Sequence, residues 1–297
     1  MPAPPIRPEG PLPATVAEKF IEAGGVRFRY LISKPAGRPE DGAVLLLHGF
    51  GARSEIWLPT FADLAPRTVI ALDLPCHGKS GMLPGKDRRI GSYRSAMDAF
   101  VDALPFQRLT VLGSSLGGAL GAMLALDRPL RIERLVLLGA SGLTPKLPGK
   151  TVRLYLPYIL PAYLFAPTPR AFASFLRKGV FHDPRWVDEN WTHYLSDEWK
   201  SRPRRSSYLA TASAMTKPDA SVAADLERIS CPTLLLWGRE DAHFDWKDGE
   251  AASKKMPQAR FICYEGCGHL PMIEKARETT SDLQRFLGEG PAASPSR

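Results

Sequence analysis

A chain of 297 residues, 44% hydrophobic and 24% charged, has room for one large α/β domain with an insertion and the composition of a folded globular protein. Its four cysteines (Cys76, Cys231, Cys263, Cys267) are irregularly spaced, which excludes a disulfide framework. The net charge of +8 is concentrated rather than spread, with 12 Lys/Arg against 5 Asp/Glu between Lys146 and Pro218, so nucleic acid is not an expected partner.

The chain opens on a proline-rich stretch without the apolar core of a signal peptide, and residues 1–18 are expected to be a disordered tail. No apolar run approaches the ~20 residues of a membrane span, so a cytoplasmic location is expected. Lys19 to Ala23 and Val26 to Ile32 flank Gly24-Gly25 and predict a β-hairpin. Ala43 to Leu47 is a continuous apolar run, as in a strand buried on both faces, and leads into His48-Gly-Phe-Gly51. A helix is predicted over Ser54 to Leu64 and a strand over Thr68 to Leu72. A helix over Ser92 to Leu104 follows from the spacing of Tyr93, Ala96, Met97, Phe100, Val101 and Leu104.

Leu109 to Leu112 predicts the next strand. Gly113-Ser-Ser-Leu-Gly117 ends it, and a small-residue helix begins at about Ser115. A strand Leu135 to Leu138 completes successive strand–helix–strand units, hence a doubly wound, mostly parallel α/β sheet with helices on both faces. The alternation stops near Gly142. Residues 143–225 lack a clear strand and are expected to form a helical cap inserted into a core of residues 19–142 and 226–288. Strands are predicted over Cys231 to Trp237 and Ala259 to Cys263. A helix from Glu274 to Leu287 closes the core, and residues 289–297 form a second disordered tail. In their apolar runs, Cys231 and Cys263 are expected to be small buried hydrophobes. Cys263, Cys267 and His269 have no further ligand cluster to complete a closed site, so no metal is expected.

The G-x-S-x-G turn at Gly113–Gly117 holds the chemistry. A strand turning this sharply into a helix lifts Ser115 Oγ above the sheet, with a helix N-terminus beneath it. A serine hydroxyl needs an adjacent base, itself oriented by an acid. The last strand is followed by Gly266-Cys-Gly-His269, and the strand before it by Gly238-Arg-Glu-Asp241, giving the chain order Ser115, Asp241, His269. Glu240, Asp245 and Asp248 compete for the acid, and Asp241 is favoured by its distance from the strand end. His182 and His193 fall in the insertion, His48 and His77 in glycine-adjacent turns. His243 is too near Asp241 in sequence to stand over Ser115. An acyl-transfer oxyanion needs two backbone donors, expected at Leu116 and Phe50. His48, Gly49 and Gly51, with Gly113, Ser114 and Gly117, are expected at the pocket or its structural turns.

The set His48-Gly-Phe-Gly, Asp73-Leu-Pro-x-His-Gly-x-Ser80, Gly113-Ser-Ser-Leu-Gly117, Trp237-Gly-x-x-Asp241 and Gly268-His-Leu-Pro-x-x-Glu274 resembles the α/β-hydrolase family over about residues 20–288. The resemblance implies a Ser115 nucleophile, a His269 base, an Asp241 orienter, a cap at the insertion, and no metal or organic cofactor. Cys76 stands where relatives commonly have glycine.

Twelve of the 27 aromatics fall between Lys146 and Pro218, enough to dock a small helical cap and to line an apolar acyl pocket beneath it. The run Leu154 to Ala166, with Arg202-Pro-Arg-Arg205, offers membrane-surface contact as a lesser alternative to a cap helix with a solvated basic rim. The expected activity is an esterase or lipase-like hydrolysis of a small-molecule ester with an apolar acyl group. The first alternative is a carbon–carbon bond hydrolase of vinylogous diketo acids. Such enzymes usually carry Asn before the nucleophile and Trp after the histidine, where this chain has Ser114 and Leu270. The second is a catalytically silent ligand-binding form of the fold.

Overall fold

The computed structural model describes residues 12–35, 41–145 and 168–289. The predicted hairpin forms from β1 (Ala17–Ala23) and β2 (Val26–Ser33), paired antiparallel around Gly24-Gly25. The expected tail boundary is therefore corrected. Val16 is buried, and Ala17 and Glu18 already belong to β1 because Glu18 reaches the guanidinium of Arg29 at 2.8 Å. Arg29 is 1% exposed and is held also by Glu55 and Asp73, so a buried charge cluster fastens the hairpin to the main sheet.

Five parallel ladders then build the core. β3 (Gly42–Leu47) precedes a short 3₁₀ turn (Ser54–Trp57), α1 (Leu58–Asp63) and β4 (Val69–Leu72). After α2 (Ile90–Ala103) come β5 (Arg108–Ser114), α3 (Leu116–Asp127) and β6 (Ile132–Leu138). The sheet order is β1-β2-β4-β3-β5-β6, continued by two strands from beyond the insertion. In β3, β5 and β6 alternate residues feed two separate cores: Leu45, Leu47, Val111 and Leu135 face α2 and α3, whereas Val44, Leu46, Leu112 and Val136 face α1 and the closing helix. Burial on both faces is why these strands read as continuous apolar runs.

The described part of the insertion is helical: α4 (Pro169–Phe175), a π turn (Leu176–Val180), a 3₁₀ turn (Pro184–Trp186), α5 (Glu189–Lys200) and α6 (Arg202–Ala214). Tyr155, Tyr158, Tyr163, Phe165 and the run Leu154 to Ala166 lie outside the described residues, as do residues 1–11 and 290–297 of the expected tails. Glu289 itself is tied down, pairing with Arg260 at 2.6 Å.

The core resumes with β7 (Thr233–Gly238), α7 (Trp246–Ser253) and β8 (Ala259–Tyr264). Sequence periodicity missed α7, which carries Gly249 and a mixed polar face; its signal was the Asp245 side chain capping the Lys247 amide at 3.1 Å. A one-turn helix, α8 (Pro271–Glu274), precedes the predicted closing helix, which forms as α9 (Ala276–Gly288) after a break at Lys275. Glu274 is turned away to accept the amides of Gly268 (2.7 Å), His182 (2.9 Å) and Asp183 (3.1 Å). The cysteine expectation reverses: Cys76 and Cys267 are buried, while Cys231 and Cys263 are only half-buried near the sheet edge. Among the described residues no helix is long and apolar enough to cross a membrane.

Candidate active site

The C-terminal ends of β3, β5, β6, β7 and β8 converge on one edge of the sheet, where open parallel sheets form their crevice. Ser115 sits there between β5 and α3 with φ 53° and ψ −116°, a strained conformation for a residue with a side chain. The surroundings enforce it. A Cβ on Gly113 would lie 2.3 Å from the Gly117 carbonyl oxygen, and one on Gly117 would lie 2.3 Å from that of Leu47. The Ser115 amide donates to Leu138 O (3.0 Å), and its carbonyl accepts the Ser141 amide (3.0 Å). Leu116 is the first residue of α3, so its amide has no partner within the helix.

The loop after β3 closes on the same serine. A Cβ on Gly49 would be 3.1 Å from Ser115 Cβ and 3.7 Å from Oγ, so the chain at Gly49 passes close against the Ser115 side chain. Phe50 turns its ring toward Tyr208 (centroids 5.5 Å apart), Trp199 (6.1 Å) and His77 (6.2 Å). Gly51 lies beneath the Trp199 indole. Ser114 is buried, and its hydroxyl makes no hydrogen bond among the described residues.

His48 is structural. Its Nδ1–H donates to Gly49 O (2.7 Å) and its Nε2 accepts the Leu74 amide (3.0 Å), so the neutral ring ties two strand-end loops together. Burial pushes its pKa down to about 4. Burial, with His48 only 5.2 Å away, pushes His77 down to about 3. Below the ordinary histidine value near 6.5, the unfolded chain takes up protons that these folded rings refuse. Stability therefore rises with pH across the window from about 4 to 6.5 and is lost on acidification, by roughly 1.4 kcal/mol per histidine per pH unit. Urea midpoints measured from pH 7 to 4.5 should fall steeply, and less steeply in His77→Phe; identical slopes would refute the assignment.

Asp241 and His269 stand at the ends of β7 and β8. His269 Nδ1 lies 2.9 Å from Asp241 Oδ2, while Oδ1 accepts the amides of His243 (2.7 Å) and Phe244 (3.1 Å). An ionised carboxylate only accepts, so Nδ1 carries the proton and Nε2 keeps its lone pair. A Cβ on Gly139, one residue past β6, would lie 3.1 Å from His269 Nδ1 and 3.3 Å from Asp241 Oδ2. The adjacent Leu138 carbonyl holds the Ser115 amide, which brings the pair and the serine to one mouth. The competing acids are otherwise engaged. Glu240 accepts the Cys267 amide (2.9 Å), Asp245 caps α7, and Asp248 lies within that helix.

Sequence reasoning set aside one neighbour of this pair. His243, wholly buried, packs its ring 4.3 Å from that of His269, with Nδ1 3.9 Å from Asp241 Oδ1. Two residues from Asp241, it cannot reach over Ser115, but the turn that buries Asp241 folds its ring back onto His269. The His269 loop is also tied to the insertion: its amide donates to Val180 O (2.7 Å), and Glu274 bridges Gly268 to His182 and Asp183. Burial pushes the Glu274 carboxyl up, against the amides that stabilise its ionised form.

A buried polar knot seats the insertion on the core. Glu198 accepts from Arg53 (3.2 Å), Arg204 (3.0 Å), the Tyr208 hydroxyl (3.0 Å) and the Gly78 amide (3.0 Å). The Tyr194 hydroxyl donates to Arg53 O and accepts the Arg53 amide. A cleft opens beside the elbow between α3 and the end of the insertion, lined by Leu116, Ala119, Ile90, Met215 and Ala220, with the exposed Lys217 beside it.

Comparison with known proteins supplies independent findings. The family described as the alpha/beta hydrolase fold matches residues 42–276. A 2-hydroxy-6-oxo-6-phenylhexa-2,4-dienoate hydrolase of Burkholderia cepacia is 27% identical over 94% of this chain and 99% of its own. A 2-hydroxy-6-oxononadienedioate/2-hydroxy-6-oxononatrienedioate hydrolase of Cupriavidus pinatubonensis is 24% identical over 90% and 93%. Among solved structures, a bacterial membrane phospholipase A superposes with a TM-score of 0.78 at 26% identity, over 93% of this chain and 86% of that one.

Proposed function

The chain belongs to the α/β-hydrolase family, and on that premise we propose that it is a serine hydrolase cleaving carboxylic esters of an apolar acyl group through an acyl-enzyme intermediate. The observation that carries this reading is Ser115, strained on its elbow at the same mouth as the Asp241–His269 pair. Ser115 Oγ attacks the ester carbonyl as His269 Nε2 accepts its proton, and Asp241 holds the imidazole in the tautomer that leaves Nε2 free. The oxyanion forms against the Leu116 and Phe50 amides. His269 then gives the proton to the departing alcohol, and a water activated by the same nitrogen releases the acid. The acyl group is directed toward the narrow cleft beside the elbow, where Ile90, Leu116, Ala119, Met215 and Ala220 share the lining with Ser141, Thr144, Lys217 and Ser221.

Carbon–carbon bond hydrolysis is the second reading, favoured by the printed activities of the Burkholderia and Cupriavidus relatives. It asks for a cation to receive an acidic substrate. Two half-buried arginines, Arg53 and Arg204, are already matched by carboxylates, Arg53 by Glu55 and Glu198, and Arg204 by Glu198. The exposed Lys217 at the cleft offers a cation to an acidic substrate, whereas Ser114 and Leu270, at the two positions where diketo-acid hydrolases usually carry Asn and Trp, weigh toward a neutral ester. Initial rates on p-nitrophenyl esters of increasing chain length, beside one vinylogous diketo acid, decide between them. We expect kcat/KM for the best ester to exceed that for the diketo acid at least tenfold; the reverse order would establish the second reading.

A further inference from the structure

The imidazole of His243 has no part in the hydrolytic cycle, yet it is wholly buried against the base that does. One nitrogen of His243, one of His269 and one oxygen of Asp241 all lie within 4.8 Å of one another. We propose that Asp241, His243 and His269 form an inhibitory site for a divalent transition-metal ion of the zinc class.

The donor set is two imidazoles and a carboxylate, the borderline ligands that zinc prefers, with a fourth position left for water. Zinc–ligand bonds of about 2.0–2.2 Å place tetrahedral donors roughly 3.4 Å apart. His269 Nδ1 lies 2.9 Å from Asp241 Oδ2 and His243 Nδ1 lies 3.9 Å from Asp241 Oδ1, so each imidazole faces its own oxygen of the one carboxylate. Asp241 is held through its Oδ1 by the amides of His243 and Phe244, so the carboxylate is already oriented between the two rings.

The consequence for catalysis follows from the tautomer. A metal on His269 Nδ1 takes the lone pair left when that nitrogen gives up its proton. The neutral ring then carries its hydrogen on Nε2, where the proton of Ser115 would have to go. The ring gains and loses no net proton, but the base is disabled. This loss of activity rests on the proposed role of His269; the metal site itself does not.

Zinc is therefore titrated into the full chain in two assays, ester hydrolysis and displacement of zinc from a chromophoric chelator. Each is run on wild type, His243→Phe, His243→Asn and Ser115→Ala. We expect EDTA-reversible inhibition of wild type. Each His243 variant, referred to its own metal-free rate, should need at least about tenfold more zinc, the size of effect that even loss of a supporting residue has on a metal site. Ser115→Ala should bind zinc as wild type does. Equal zinc affinity in wild type and both His243 variants would overturn the site. Zinc binding that requires His243 but leaves hydrolysis untouched would uphold the site and instead refute His269 as the base.

Discussion

Ser115→Ala is expected to lower kcat on any ester substrate by about 10⁶, equivalent to roughly 8 kcal/mol of transition-state stabilisation. The residual rate would come from the cleft and the backbone donors, which the substitution leaves in place. Fold should survive, because alanine keeps the Cβ that Gly49 packs against and the backbone bonds of Ser115 to Leu138 and Ser141 do not involve the hydroxyl. KM should change little. Steady-state kinetics on purified protein measures this, and a loss smaller than tenfold would remove Ser115 from the nucleophile's role.

Asp241→Asn should reduce kcat by about 10⁴. The amide can keep accepting the His243 and Phe244 amides through its oxygen, which turns its NH₂ toward His269 Nδ1. That donor stabilises the wrong tautomer, with the proton on Nε2. Asp245→Asn provides the control, since asparagine also caps helices and the side chain serves the Lys247 amide. The same pair of variants tests the choice of acid. Near-normal turnover in Asp241→Asn with a dead Asp245→Asn would show that the acid is misassigned.

Much of this was legible in the sequence because it is local. The elbow is written in five consecutive residues, and the buried strands in continuous apolar runs such as Ala43 to Leu47. Asp241 and His269 each follow a recognisable strand at a short, fixed distance. What escaped depends on three-dimensional return of the chain. His243 was set aside on sequence separation alone, whereas the turn that lets Asp241 accept the amides of residues 243 and 244 folds its ring onto His269. Glu274 reads as a helix residue until its carboxylate is seen bracing Gly268 against the insertion. The aromatic wealth of the insertion pointed to docking and to a pocket without distinguishing them. Trp199 and Tyr208 serve docking, because both pack on Phe50 while Tyr208 also hydrogen-bonds the buried Glu198. Arg204, part of the local basic character, turns out to be a partner of that same carboxylate, as is Arg53 of the core.

Covalent labelling with a serine-reactive fluorophosphonate, followed by peptide mapping, tests the nucleophile most directly, because it needs no knowledge of the natural substrate. One phosphonyl group per chain, located on Ser115, absent from Ser115→Ala and strongly slowed in Asp241→Asn, is the result expected of a working triad. A wild-type protein that resists the reagent, or that labels equally after Ser115→Ala, would contradict it and leave the fold as a binding module.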